Sequence, residues 1–299
     1  NVTLNGSINV TQLPGFGVGV YRIVSYQGTG MTTGLTLANA SPTFSLQTGL
    51  AGQINVLNQS QANEIQIWQG SSGTWNGTNA NWANATTLAA EAWGGRFGVF
   101  QGPVSTVTVD ATSNLQFQGL QFSTDGYIVS GGTLTAVNGS DGVTTLRVEP
   151  NVTATLGSTL AGTDVTLAKR DAGTLILTGA NTYTGTTRLE GGVLQINDDT
   201  QLGATANGVA FAGGTLRYAG AANGSTGRTW TVAGNGGIDV ANAGVTYTAN
   251  GAITDGATAG TLTKTGAGTL ALNGTNTYTG GTLLQAGTIQ VGSNAALGA

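Results

Sequence analysis

Side chains that could carry out catalysis are few in this sequence. Thirteen Asp and Glu and nine Lys and Arg are spread over 299 residues, with no His, no Cys and one Met. Asp198 and Asp199 form the one adjacent acidic pair, which follows a predicted strand and is interpreted as a solvated turn. Because paired carboxylates can act as acid and base in glycoside cleavage, a carbohydrate-active site is the alternative interpretation.

The missing residue types exclude several kinds of site. Without His or Cys the chain cannot form a Ser-His-Asp or Cys-His nucleophile pair, the usual zinc site or a disulfide. It has no Gly-x-Ser-x-Gly and no Gly-Lys-Thr motif. No catalytic residue, cofactor or metal is therefore predicted. A net charge of −4 with nine scattered cations also excludes the basic surface that nucleic acid requires.

The composition predicts the elements that must hold such a chain together. Glycine supplies 51 residues, 7% of residues are charged and 39% are hydrophobic. Threonine favours strands, whereas Gly and Asn favour turns, so a long all-β protein with many tight turns is expected. No apolar run of about 18 residues is present that could span a membrane as a helix. The sequence is interpreted as a mature fragment of a longer protein, and its lack of Cys is compatible with secretion.

An internal repeat dominates the organisation. Residues 169–204 align without gaps on residues 264–299, at an offset of 95 positions and with 19 identities in 36 positions. In the first copy, strands are predicted at 174–178, 187–189 and 193–196, with Gly-containing turns between them. Three short strands in roughly 24 residues match one coil of a β-solenoid, in which strands stack at about 4.8 Å.

The remainder of the chain fits the same coil less sharply. The offset of 95 then corresponds to about four coils, and residues 1–299 to a single β-helix of roughly twelve coils. Residues 64–102 interrupt the pattern as a Trp-rich excursion or loop that contains Trp68, Trp75, Trp82 and Trp93. These side chains are interpreted as the core of the excursion, and the alternative is an exposed aromatic binding patch. Residues 17–26 alternate and predict a strand.

The two copies resemble the passenger-associated repeat of bacterial autotransporters, the type V secreted proteins. The segment Lys264-Thr265-Gly266-Ala267-Gly268-Thr269-Leu270 matches the start of that repeat in full, whereas Arg170-Asp171-Ala172 departs from it. The motif, with a structural and secretory role, falls on Lys169, Gly173, Thr174, Leu175, Leu177, Gly179, Asn181, Thr182, Tyr183, Gly185, Lys264, Gly268, Thr269, Leu270, Leu272, Gly274, Asn276, Thr277, Tyr278 and Gly280. Both lysines are interpreted as turn residues at the edge of a coil.

The resemblance implies a right-handed parallel β-helix that is exported through the periplasm and the outer membrane to the cell surface. A C-terminal outer-membrane β-barrel of the parent chain, outside this sequence, would be its partner. Family members include adhesins, autoaggregation factors, proteases, esterases and toxins. Because no catalytic set is present, adhesion or autoaggregation is favoured, with host surface molecules or another copy of the chain as partners. The alternatives are a carbohydrate-active β-helical enzyme and a stalk for a function upstream of residue 1.

Overall fold

The computed structural model describes residues 2–11, 16–27, 31–38, 43–61, 64–70 and 73–299. Within these ranges the chain is almost entirely β, and the one helix is a 3-10 turn at Asp199–Leu202. The first strands are β1 (Val2–Ile8), β2 (Gly19–Ser25), β3 (Met31–Leu37), β4 (Phe44–Gln47) and β5 (Gln53–Asn58). The others are β6 (Ile65–Trp68), β7 (Gly73–Trp75), β8 (Trp82–Asn84), β9 (Ala90–Glu91), β10 (Phe97–Phe100), β11 (Thr106–Val109), β12 (Leu115–Phe117), β13 (Gly119–Phe122), β14 (Ile128–Gly131), β15 (Thr133–Ala136), β16 (Thr144–Val148), β17 (Thr153–Leu156), β18 (Thr159–Ala161), β19 (Val165–Arg170), β20 (Thr174–Leu177), β21 (Gly185–Leu189), β22 (Val193–Ile196), β23 (Val209–Phe211), β24 (Thr215–Tyr218), β25 (Gly224–Thr226), β26 (Trp230–Val240), β27 (Thr246–Ala249), β28 (Ile253–Thr265), β29 (Thr269–Leu272), β30 (Thr282–Leu284) and β31 (Thr288–Val291).

From Ile65 onward the strands other than β8 and β9 stack in parallel as a β-solenoid with three faces. The first face contains β6, β10, β13, β16, β19, β21, β23 and the first residues of β26 and β28. The second contains β7, β11, β14, β17, β20, β22, β24, the last residues of β26 and β28, and β30. The third contains β12, β15 and β18 and, further along, β25, β27, β29 and β31. Alternate side chains point inward and fill one continuous apolar core.

The all-β solenoid class is confirmed, but the expected number of coils is too high. The solenoid makes about nine turns rather than twelve. The described residues before Ile65 do not form coils: β1 and β3 pair as a separate parallel ribbon, and β2, β5 and β4 form an antiparallel sheet. We call this antiparallel sheet the N-terminal sheet.

The two repeat copies lie on different faces of the solenoid. The register partners that follow Lys169 along the first face are Leu189, Phe211, Val232 and Asp255. Asp255 completes four turns, yet Lys264 lies nine residues further on, where it pairs with Ile238 on the second face. The offset of 95 residues is therefore four turns plus one face, slightly more than the value of about four coils that the sequence suggested. Turns vary in length, from 19 residues between Thr174 and Val193 to 34 between Gly73 and Val107.

Candidate functional site

The motif lysines are core residues, which corrects their interpretation as turn residues at a coil edge. Lys169 is 1% exposed and stands in the inward column between Leu146 and Leu189. Its ammonium donates to the carbonyl oxygens of Arg170, Asp171 and Gly191 at 2.8, 2.9 and 3.2 Å. Burial lowers the pKa of Lys169 to about 8, and the negative charge of Asp171 opposes that change. The aliphatic part of the Lys169 side chain thus packs in the core, while its ammonium group stabilises the chain reversal that follows the strand.

Lys264 repeats this arrangement on the second face. It is 0% exposed, and its ammonium donates to the carbonyl oxygens of Thr265, Gly266 and Ala286. Burial lowers its pKa as well. Each lysine therefore binds two carbonyls of its own turn and one of the next coil, so the motif position has the same physical role in both copies.

The motif asparagines connect three successive coils. The Asn181 side chain accepts from the Leu160 amide at 2.7 Å and donates to the Gln201 carbonyl at 2.6 Å. Asn276 makes the matching pair of bonds with the Ile253 amide at 2.8 Å and the Ala296 carbonyl at 2.6 Å. Both side chains are buried. The side-chain amide of each asparagine thus bonds one backbone group on the preceding coil and one on the following coil, both of which are buried away from water.

The motif tyrosines and glycines complete this packing. Tyr183 is fully buried, its hydroxyl lies 2.6 Å from the Thr187 hydroxyl, and burial raises its pKa to about 12. Tyr278 contacts Thr282 in the same way. At Gly185, where φ is +116°, a β-carbon would lie 2.1 Å from the Val165 carbonyl oxygen. A β-carbon would come within 2.6 Å of neighbouring backbone at each of Gly173, Gly179, Gly268, Gly274 and Gly280. These glycines let adjacent coils approach closely.

The other motif positions follow the alternation of the strands. Buried side chains are contributed by Leu175, Leu177, Leu270 and Leu272. The outward positions of these strands, Thr174 and Thr269, are partly exposed. Thr182 and Thr277 donate their amides to the carbonyls of Leu160 and Ile253 on the preceding coil.

A second cluster, on the outside of the first face, was not predicted from the sequence. We call it the charged flank: Gln121, Arg147, Arg170 and Glu190, with Glu149 and Asp171 beside them. The Asp171 carboxylate binds Arg147 at 2.8 and 3.0 Å. Glu190 binds Arg170 at 2.8 Å and Arg188 at 3.1 Å. The charged flank therefore contains two of the nine basic residues of the chain, and Arg188 lies beside it.

The N-terminal sheet lies against the charged flank. The guanidinium carbon of Arg147 is 4.4 Å from the centroid of the Tyr21 ring, and its nitrogen donates to the Tyr21 hydroxyl. Burial raises the pKa of Tyr21, whereas the neighbouring arginine lowers it. Beside this contact lies an open groove of about 600 Å³, lined in part by Phe16, Tyr21 and Arg188.

The four indoles of residues 64–102 are buried, so they do not form the exposed aromatic patch that the sequence left open. Trp68, Trp75, Trp82 and Trp93 are 2, 0, 0 and 8% exposed. Trp82 lies 5.2, 5.0 and 4.5 Å from the ring centroids of Trp68, Trp75 and Trp93. The cluster is continuous with the solenoid core. It covers the apolar end of the first turn, since β8 and β9 pair antiparallel beside β6.

The acidic pair serves the backbone in the first repeat. The Asp198 carboxylate accepts from the Thr200 amide and hydroxyl at 2.9 and 2.6 Å, and these bonds lower its pKa. Asp199 pairs with the buried Arg228 at 3.0 Å. Arg228 also donates to the carbonyls of Gly203 and Ala204. The two carboxylates therefore have separate structural partners.

Within the part of the chain that the structure describes, no group of three or more acidic side chains is placed to hold a metal ion. The same ranges contain no helix long and apolar enough to cross a membrane.

The fold and the repeats define a class of protein: an extended parallel β-solenoid of the kind that autotransporters export as a passenger. The model of the passenger-associated-transport-repeat matches residues 167–196 and 262–291. The chain is 35% identical over 318 aligned positions, covering 98% of its length, to the protein named adhesin BmaC autotransporter of Brucella suis biovar 1 (strain 1330). The chain spans 9% of that relative's length. No solved structure matches it.

The chain accordingly carries two passenger-associated transport repeats and is similar, over almost its whole length, to part of an autotransporter, a kind of protein that is exported through the outer membrane to the cell surface. The predicted repeats at 169–204 and 264–299 contain most of the residues that the repeat model matches.

Proposed function

We propose that this chain is a non-enzymatic, adhesive segment of a cell-surface passenger. The observation that carries the proposal is a ladder of uncharged side chains on the outer surface of the second face and another on the third. On the second face this ladder lies beside one outward ion pair, between Arg217 and Asp239. Thr153 pairs with Thr174 on the second face, and Thr246, Thr269 and Thr288 stack on the third. Such flat rows of hydroxyl and methyl groups suit many weak contacts with an extended surface. The name of the relative, an adhesin, supports the same role.

The state of the carboxylates supports a role without catalysis. Asp171, Glu190 and Asp199 are committed to arginine partners. Asp255 accepts from the hydroxyl and the amide of Thr279 and from the amide of Gly260, and these bonds lower its pKa. These four acids already have partners within the fold, whereas a glycosidase requires one carboxyl group held protonated beside its substrate.

The adhesive role is tested by adding charge to one ladder in the displayed parent protein. Lysine at Thr153, Thr174 and Thr215, all partly exposed, would interrupt the uncharged ladder on the second face. We expect binding to host cells or abiotic surfaces to fall while the amount of displayed protein is unchanged. Serine at the same three positions is the matched control, because it keeps the hydroxyl groups. Normal adhesion by a normally displayed lysine variant would refute the proposal.

We also infer that the two repeats assist export by allowing the passenger to fold one coil at a time. Asn181 and Lys169 each bind the coil that follows, so a completed repeat presents ready partners to the next segment. In the parent, a C-terminal outer-membrane barrel would carry the chain across the membrane. Replacing Asn181 by Ala should lower the fraction of passenger displayed, measured by antibody labelling of intact cells. Display equal to that of the unaltered parent would contradict this inference.

A further inference from the structure

The N-terminal sheet is attached to the outside of the first face by an apolar contact. Val20 and Leu57 of the sheet pack with Ile67, Phe97 and Val99 of the solenoid in a second hydrophobic core, separate from the main one. In a solenoid strand such outward side chains would otherwise face water. The sheet therefore covers an apolar surface on β6 and β10 that is not stable when exposed.

A glutamine side chain extends this contact along the next coil. The Gln121 side chain accepts from the Val20 amide at 2.9 Å and donates to the Val20 carbonyl at 2.7 Å. Gln121 is 1% exposed. Its amide thus pairs with the docked backbone as a neighbouring strand would, and this pairing requires an extended segment rather than a particular side chain at position 20.

The charged flank and the docked segment each keep their shape through their own bonds. Arg147 is held by Asp171, and Glu149 accepts from Gln121 at 3.0 Å. On the other side, the Tyr21 hydroxyl donates to the Gly17 carbonyl at 2.7 Å. The interface thus joins two surfaces that are each organised within their own element, which reduces the entropy lost when they associate.

From this arrangement we propose that the N-terminal sheet is an exchangeable docking module, whose partner in trans is the flank of a second copy of this chain. When the N-terminal sheet leaves the solenoid of its own chain, apolar side chains become exposed on the sheet and on the solenoid. A second copy can cover both surfaces with the same contacts, because its own sheet and solenoid are identical. Passengers displayed side by side on one cell surface, or on two touching cells, supply the second copy at high local concentration. The inference deepens the proposed adhesive function by naming one partner, and its test measures copy-to-copy docking alone.

Because the chain has no cysteine, introduced thiols report this docking directly. Arg22 and Ala172 are both exposed and line the same cleft between the sheet and the solenoid. The full 299-residue chain is prepared with Arg22→Cys and, separately, with Ala172→Cys. The two proteins are unfolded together, refolded at high concentration and treated with a short bis-maleimide. Exchange predicts a cross-linked heterodimer on a denaturing gel.

The matched control replaces Ala172→Cys by Ala259→Cys, which is exposed on a distant coil. We expect the Arg22 and Ala172 variants to cross-link on the order of 100-fold faster than this control pair, since docking holds the thiols at a millimolar effective concentration. The double variant Arg22→Cys with Ala172→Cys, refolded at high dilution, should cross-link within one chain, which verifies the docked geometry. If the double variant cross-links internally while the mixed variants yield no more heterodimer than the control, exchange is refuted. That result would not refute the proposed adhesion to host cells, which the lysine variants of the second face test separately.

Discussion

The motif asparagine offers the sharpest test of how a repeat stabilises its neighbours. Replacing Asn181 by Ala removes the hydrogen-bond partners of the Leu160 amide, 2.7 Å away, and of the Gln201 carbonyl, 2.6 Å away. Both groups lie on adjacent coils, and the side chain between them is 7% exposed. Each buried backbone group left without a partner costs about 1–3 kcal/mol. The substitution should therefore lower the free energy of unfolding by about 2–6 kcal/mol.

Urea unfolding followed by circular dichroism measures this effect. A solenoid can unfold in parts, so the relevant quantity is the urea midpoint of the transition that includes residues 160–201. The midpoints of variant and unaltered chain are compared where the dependence of the unfolding free energy on urea has the same slope in both. The control is Asn79→Ala, at an exposed position, where a change within about 0.5 kcal/mol is expected. Asn276→Ala removes the equivalent pair of bonds in the second copy. The reasoning fails if Asn181→Ala is no more destabilising than Asn79→Ala.

Three other predictions concern the lysine, the glycines and the indoles. Since burial lowers the pKa of Lys169 from 10.5 to about 8, the folded chain loses this proton before the unfolded chain does. The free energy of unfolding of the unaltered chain should thus rise, relative to that of Lys169→Met, by about 1.4 kcal/mol per pH unit from pH 8 to 10. A difference between the urea midpoints of the two proteins that stays constant over this range would contradict the prediction. Gly185→Ala places a β-carbon 2.1 Å from the Val165 carbonyl oxygen and should lower the free energy of unfolding by about 1–3 kcal/mol. The control is Gly227→Ala, whose β-carbon would enter open space, and equal melting temperatures for the two variants would be inconsistent with the contact at Gly185. Trp82→Ala should cost about 3–5 kcal/mol and remove near-ultraviolet circular dichroism, and an unchanged spectrum would argue against the buried cluster.

Local patterns in the sequence were sufficient for the strands of the repeat. The expected strands at 174–178 and 193–196 correspond to β20 (Thr174–Leu177) and β22 (Val193–Ile196). They were predictable because alternation and flanking Gly residues are properties of a few neighbouring positions. The same alternation also contained an overlooked indication: Val165, Leu167 and Lys169 share one side of their strand, so Lys169 had to face inward.

The number of coils and the position of the second repeat depended on turn lengths that no local pattern reveals. The four turns from Lys169 to Asp255 take 20 to 23 residues each, so an offset of 95 residues exceeds four turns and Lys264 lies one face away from Lys169. The charged flank has the same origin, because Gln121, Arg147 and Arg170 are neighbours only through the register of stacked strands. The bonds of Gln121 with Val20 and of Arg147 with Tyr21 each span more than a hundred residues.

The sequence by itself determined the class of protein, the solenoid fold and the motif residues, because the repeat and the composition act within single coils. It also left the chain without His or Cys and so without the usual nucleophile and zinc chemistry. Only the tertiary structure decided which side chains became partners. It buried the four indoles, turned the motif lysines into caps for backbone carbonyls and placed the N-terminal sheet on the charged flank. These outcomes depend on register between coils, which is set by packing along the whole solenoid rather than by neighbouring residues.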